Sequence, residues 1–218
     1  MDKYEAVLKL LVEAIQNNQG KEVIEPKAFE IPVGVSNRHA HLSQEDLDML
    51  FGKGYKLTKI KDLSQPGQYA CKETITICEY SKGAIEKVRI LGPIRSKTQV
   101  EVLAGDCVKL GTAAYPRLSG DLANTPGVTL VGPKGATQIK EGLIVAQRHI
   151  HMTPCDAREL GVHDGEIVSI KFDTIRGGIF NNVAIRANDA SKLECHLDIE
   201  EVNAMGINSK SKVEIVKH

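Results

Sequence analysis

Two short segments of this sequence carry a pair of histidines one residue apart. His39 and His41 lie in "NRHAH", and His149 and His151 lie in "QRHIH", in a chain with seven histidines. On an extended strand, residues i and i+2 project from the same face, so one metal ion can contact both imidazoles of a pair. Both segments therefore predict metal binding.

The two histidine segments are copies of one unit. "VSNRHAHLSQEDLDML" (35–50) aligns without a gap on "VAQRHIHMTPCDAREL" (145–160), at a constant offset of 110 residues. In each copy Ser43 or Thr153 can cap a helix, and an aspartate three residues later completes a capping box. Each histidine pair is thus predicted at a strand end beside a helix N-terminus, where an anion is favoured.

A second repeat offers a third ligand for each pair. "IRSKTQVEVLAGDCVKLG" (94–111) aligns with "SKLECHLDIEEVNAMG" (191–206) when their Ser-Lys pairs are matched, which places Glu101 opposite His196. A metal that stays open to substrate usually has three protein ligands. The repeats therefore predict two metal sites, with ligands His39, His41 and Glu101 for one and His149, His151 and His196 for the other. A purely structural role for the histidines is the alternative, but four buried imidazoles at matched positions need partners.

The elements that must position these residues are mostly strands. Alternating or β-branched runs such as 74–80 and 166–172 are separated by Gly-Pro and Pro-Gly pairs, and short helices are predicted at 43–51, 154–160 and 199–206. Many short strands with few helices favour β-barrels or sandwiches over a βαβ sheet.

The N-terminus differs in kind from the rest of the chain. Tyr4, Leu8, Leu11 and Ile15 lie at helical spacing among charged residues, and a polar stretch follows. This pattern predicts a short amphipathic helix. It either packs on the body of the protein or across a dimer interface, or it docks on a partner.

Composition excludes several classes of protein. Lys+Arg and Asp+Glu are equal at 28 each and tryptophan is absent, which argues against a nucleic-acid or anionic membrane surface. The five cysteines form no C-x-x-C motif, and no apolar run is long enough for a membrane span. We expect a cytoplasmic protein.

A nucleophilic Cys155 or Cys195 is conceivable, but on a strand Cys195 should point away from His196.

With both R-H-x-H segments, "LGPIRSKTQVE" and "IFNNVAIR…HLDIEEVNA" in view, the chain from about residue 31 to 209 closely resembles the PduL-type phosphotransacylases, or phosphate propanoyltransferases. The resemblance implies that propanoyl-CoA or acetyl-CoA and phosphate are interconverted with acyl phosphate and CoA, by direct attack of phosphate on the thioester at a two-zinc site. It also implies a mainly β fold of two small β-barrels capped by short helices, with the active site between them. The domains would be 28–37 plus 147–218, and 38–146, after an N-terminal helix and linker at 1–27.

The resemblance also assigns residues. The six metal ligands coincide with those that the repeats predict. The implied catalytic residues are Arg95, which binds phosphate, Gln99, Ser119, Arg186 and Asn203. The implied CoA contacts are Ser36, Lys61, Arg89, Leu91 and Asn203. We expect a homodimer. Relatives that work inside bacterial microcompartments begin with a similar helix. If the helix is a targeting segment, the expected partner is a shell or core protein.

Two other classes of function use the same ligands. A binuclear metallohydrolase would activate water on a thioester or phosphoester and would not need phosphate as a substrate. A non-catalytic β-barrel module would hold structural metals, but these usually have four protein ligands rather than three. Dependence of thioester cleavage on phosphate separates the transferase from the hydrolase.

Overall fold

The computed structural model describes residues 30–79 and 82–216, so the predicted N-terminal helix lies outside the described residues. The described chain contains four short helices among its strands, which confirms the mainly β fold class. The strands are β1 (Ile31–Ser36), β2 (His39–His41), β3 (Lys59–Asp62), β4 (Tyr69–Cys78), β5 (Ala84–Gly92), β6 (Gln99–Val102), β7 (Pro116–Arg117), β8 (Val128–Val131), β9 (Ala136–Ile139), β10 (Leu143–Ala146), β11 (His149–Met152), β12 (Ile167–Phe172), β13 (Gly178–Ala187), β14 (Glu194–Asp198) and β15 (Lys212–Val216). The helices are α1 (Gln44–Phe51), α2 (Ala104–Leu110), α3 (Pro154–Leu160) and α4 (Ile199–Met205).

The strands form two units, each with its own apolar core. Six of them close into a barrel in the order β1-β14-β11-β13-β12-β15, around a core that includes Ile150, Ile170 and Val183. The other nine form a half-barrel sheet in the order β7-β10-β6-β2-β5-β4-β8-β9, with β3 on β4. Its core includes Ile77 and Leu130.

The repeat in the sequence is also a repeat in space. β2 pairs antiparallel with β6 so that His39 faces Glu101, and β11 pairs antiparallel with β14 so that His149 faces His196. The N-cap predictions are confirmed, because Ser43 accepts a hydrogen bond from the Asp46 N–H and Thr153 accepts one from the Asp156 N–H. The predicted capping box is complete only at α3, since the Ser43 N–H donates to Thr98 Oγ1 instead of to Asp46. No helix in the described part of the chain is long and apolar enough to cross a membrane.

Two arginines of the repeat brace its helices. Arg38 donates from Nε to Asp106 of α2 at 2.7 Å, and Arg148 donates to Glu201 of α4. Both carboxylates belong to the first turn of their helix. Each arginine therefore fixes a helix against the strand that carries a histidine pair.

Candidate functional site

The first ligand cluster is set by the pairing of β2 with β6. Because alternate residues share a face, His39 and His41 project to the side on which Glu101 projects. One ligand atom from each of the three lies within 4.8 Å of the others. The Nδ1 atom of His39 bonds to the backbone carbonyl of Asn37 at 2.7 Å, and its Nε2 atom lies 3.5 Å from Glu101 Oε2. The predicted first ligand set is therefore brought together.

The second cluster repeats this arrangement in the barrel. His149, His151 and His196 also place one ligand atom each within 4.8 Å. The Nδ1 atom of His149 bonds to the carbonyl of Gln147 at 2.8 Å, and its Nε2 atom lies 3.1 Å from Nε2 of His151. Two nitrogens bound to one tetrahedral zinc at ~2.0–2.1 Å lie roughly 3.3 Å apart, so the spacing fits a shared zinc ion.

Each cluster also contains a histidine with a buried, unpaired ring nitrogen. The Nδ1 atoms of His41 and His151, at matched positions of the repeat, are buried without a hydrogen-bond partner among the described residues. Buried polar atoms are normally satisfied. Side chains that leave nitrogens unpaired while converging with others are typical of metal ligands.

Burial keeps most of these imidazoles neutral. It lowers the pKa of His41 to about 3, of His149 to about 4 and of His151 to about 3, in each case helped by a neighbouring histidine. For Glu101 burial raises the carboxyl pKa, but the adjacent His39, together with the charges of His41 and His149, outweighs it and holds the pKa well below its usual range. At neutral pH His41, His149 and His151 thus offer imidazole lone pairs and Glu101 an ionised carboxylate, the forms that bind metals. Burial also acts to lower the pKa of His39, but Glu101 outweighs it and the pKa is raised.

Two arginines add positive charge beside the clusters. Arg95 donates from Nη1 to Ser119 Oγ at 2.9 Å, and Gln99 donates from Nε2 to the same oxygen at 2.8 Å. Arg186 lies opposite His151 in the β11–β13 ladder. Burial lowers the pKa of Arg95, and the charges of Glu101 and Arg186 also act on it. Both guanidinium groups line the same cavity, where they add positive charge.

Both clusters line a single cavity of about 740 Å³ between the barrel and the half-barrel. The predicted site residues that line it are His39, His41, Glu101, His149, His151, His196, Ser36, Leu91, Arg95, Ser119 and Arg186. Gln99 is buried behind Glu101 and bonds to it. Lys61, Arg89 and Asn203 are exposed and lie outside the cavity lining, and Arg89 donates to the Cys71 and Lys72 carbonyls.

The cysteine beside a ligand is not placed for catalysis. Cys195 is fully buried in the barrel core and faces Ile150 of β11, so its side chain points away from the cavity as strand alternation predicts. Burial raises the pKa of its thiol far above the usual range. A thiol of this kind is inert rather than nucleophilic.

The residues of the cavity wall that were not predicted from the sequence include Ser64, Gln65 and Glu194. Ser64 and Gln65 precede the Pro-Gly turn between β3 and β4, and Glu194 begins β14. Glu194 Oε2 lies 2.5 Å from Nε2 of His196. The second repeat could have indicated Glu194. The alignment that places Glu101 opposite His196 also places Gln99 opposite Glu194.

Comparison with known proteins identifies the family. The model of the phosphate propanoyltransferase family matches residues 32–208. A phosphate propanoyltransferase of Lachnoclostridium phytofermentans is 45% identical over 215 residues, which cover 99% of either chain. Those of Thermotoga maritima and Salmonella typhimurium are 51% and 46% identical, over 86% and 90% of this chain and 89% and 93% of their own. The chain therefore belongs to the phosphate propanoyltransferase family and is an acyltransferase.

Proposed function

We propose that this phosphate acyltransferase interconverts propanoyl-CoA or acetyl-CoA plus phosphate with acyl phosphate plus CoA, at two zinc ions held one by each triad. The observation that carries the proposal is the single cavity lined by two matched three-ligand clusters and two arginines. Three protein ligands per cluster leave coordination positions for substrates, as in catalytic rather than structural zinc sites.

The phosphate would bind where the arginines meet the clusters. Ser119 occupies one Nη1 donor of Arg95, which fixes the guanidinium plane and leaves its other N–H groups for an anion. Arg186 supplies a second cation from the barrel side. Holding phosphate between the two units removes much of the entropic cost of bringing it to the thioester carbonyl.

The zinc ions, when bound, supply charge that stabilises the carbonyl oxyanion and the departing thiolate. The negative charge of Glu101 interacts with His149 of the other triad as well as with His39 of its own triad. A carboxylate at this position stabilises both sets of ligands as they take up metal. We propose direct attack by phosphate, since Cys195 is buried away from the cavity and the exposed Cys155 lies outside its lining.

The CoA moiety would enter past Ser36 and Leu91, which line the cavity. Lys61 and Arg89 are exposed cations outside that lining, so we propose that they contact the phosphates of CoA at the surface.

The domain division at 28–37 plus 147–218, and 38–146, is likewise a proposal, which the strand membership of the two sheets supports. The homodimer, the location in a microcompartment and both roles of the N-terminal helix stay predictions.

The proposed reaction is tested by incubating the zinc-loaded protein with propanoyl-CoA or acetyl-CoA, with and without phosphate. We expect release of free thiol only when phosphate is present, with an equal amount of acyl phosphate trapped as the hydroxamate. Chelator-treated protein serves as the control and should regain activity when zinc is returned. Thiol release at the same rate without phosphate would contradict the proposal and indicate a hydrolase.

A further inference from the structure

The cavity lies between two units with the same local structure, so much of its lining comes in equivalent pairs. The β2–β5 and β11–β13 ladders share one register, with Ala40 beside Ile90 and Ile150 beside Ile185. Because Ala40 and Ile150 are equivalent in the first repeat, Ile90 is equivalent to Ile185. This offset of 95 residues is also the offset of the second repeat, so one alignment without a gap relates 90–111 to 185–206.

Two of the equivalent pairs combine an arginine with an apolar residue. Leu91 of the half-barrel is equivalent to Arg186 of the barrel, and Ala190 of the barrel is equivalent to Arg95 of the half-barrel. All four residues line the cavity. The histidine pairs keep their residue type between the two copies, whereas these two pairs exchange a cation for a hydrocarbon side chain. Each unit therefore contributes one cation and one apolar residue to the shared cavity.

Leu91 faces the cavity for the same reason as Arg186. Its neighbour Ile90 is fully buried in the core of the half-barrel, so strand alternation places Leu91 on the opposite face of β5. One step along the β2–β5 ladder from the Ala40–Ile90 pair, this face carries His41. Leu91 is half-buried there, beside the first ligand cluster.

A third apolar side chain comes from the loop between β3 and β4. The Gln65 amide donates to the Lys192 carbonyl at 2.9 Å and accepts from the Lys192 N–H at 3.1 Å. These bonds fasten the loop of the half-barrel to the barrel segment that follows Ala190. Leu63, two residues before Gln65, is half-buried and lines the cavity on the side of that segment.

The two substrates of the proposed transfer need different surroundings. A phosphate oxygen bonds to the acyl carbon, and the carbon–sulfur bond breaks with its electron pair on the sulfur of CoA. Phosphate is stabilised by the two arginines. A methyl or ethyl group against a guanidinium would instead displace water without replacing its hydrogen bonds. The short acyl chain is stabilised by burial against hydrocarbon, so it needs an apolar wall.

We infer that Leu91 and Ala190, together with Leu63, form the acyl-chain subsite and limit the length of the chain that is accepted. The subsite consists of the apolar members of the two pairs whose cationic members, Arg95 and Arg186, are assigned to phosphate. Phosphate is excluded from it because it offers no cation, and the acyl chain is excluded from the arginines for the converse reason. The inference rests on the proposed function, since it takes the acyl-CoA and phosphate as the substrates.

A series of acyl-CoA chain lengths tests the inference. The quantity measured is kcat/KM for butanoyl-CoA divided by kcat/KM for acetyl-CoA in one preparation, so that losses of folded protein or metal cancel. Leu91→Ala enlarges the subsite and should raise this ratio by about 10–100-fold, as one or two methylene groups in an apolar pocket do. Ala190→Val fills the subsite and should lower the ratio by about 10-fold. Ile179→Ala shortens an exposed side chain of β13 outside the cavity lining and should leave the ratio unchanged.

The ratio separates an acyl-chain contact from the other roles that Leu91 could have. A contact with the CoA moiety alone, or a structural role, would lower kcat/KM for all chain lengths by the same factor. An unchanged ratio in both Leu91→Ala and Ala190→Val, in a parent that forms acyl phosphate, would overturn the inference and leave the proposed reaction standing. A parent whose thiol release did not depend on phosphate would overturn the proposed function and the inference with it.

Discussion

His149→Ala is expected to abolish acyl transfer and to reduce bound zinc from two ions to about one per chain. The remaining histidines of that triad leave the ion with two protein ligands, which hold zinc poorly. Loss of several kcal/mol of charge stabilisation corresponds to a decrease in kcat/KM of roughly a thousandfold or more. The fold should persist, because His149 faces the cavity while its neighbour Ile150 belongs to the core.

Metal analysis, turnover and thermal unfolding of the same preparation check this prediction. His163→Ala is a matched control, because His163 is an exposed histidine that pairs only with Glu166 at 2.7 Å in the described residues. It should keep both zinc ions and full turnover. A His149→Ala chain that retained full turnover with one zinc ion would rule out a two-metal mechanism.

Arg95→Lys should raise KM for phosphate by roughly 10–100-fold while leaving the zinc content unchanged. Arg95 donates one N–H group to Ser119 and still presents a planar pair of N–H groups to phosphate. A lysine ammonium is a point charge without that fork, so it cannot bind Ser119 and a bidentate phosphate in the same geometry. The KM for the acyl-CoA should change little.

Phosphate saturation curves at fixed acyl-CoA measure the effect. Arg158→Lys is the matched control, since Arg158 is an exposed arginine on α3 outside the cavity lining. Its curve should coincide with that of the parent. If the Arg95→Lys curve did the same, Arg95 would have to be reassigned to CoA binding or to structure.

The ligand triads could be predicted because they depend on local rules. Strand alternation puts His39 and His41 on one face, and a capped helix begins just after them, as the structure shows. β2 is only three residues long, so its strand character is weak by itself. The repeat of the segment supplied the signal that a single copy lacks.

The contacts of Glu194 could not be predicted in the same way. Ser64 and Glu194 are 130 residues apart in sequence and meet only because the half-barrel lies against the barrel. No local pattern fixes how two such units pack together. For the same reason the sequence does not predict that Lys61 and Arg89 lie outside the cavity lining. A family resemblance indicates which residue types occur at these positions, but not which surface each side chain faces.

The shape of the second unit also depends on more than local pattern. The sequence predicts short strands for both units, yet only six of them form a closed barrel and the other nine form a half-barrel. Closure requires strand number, tilt and register to agree around the whole sheet. Those quantities are set by long-range pairing, which periodicity along the chain does not report.

Anomalous X-ray diffraction at the zinc edge, from crystals of the zinc-loaded protein, tests the paired metal centre most directly. We expect two peaks in one cavity, each within about 2.0–2.2 Å of the three ligand atoms of one triad. His39, His41 and Glu101 should surround one peak, and His149, His151 and His196 the other. No peak, or a single peak bound by only one triad, would contradict a two-zinc acyl transfer site.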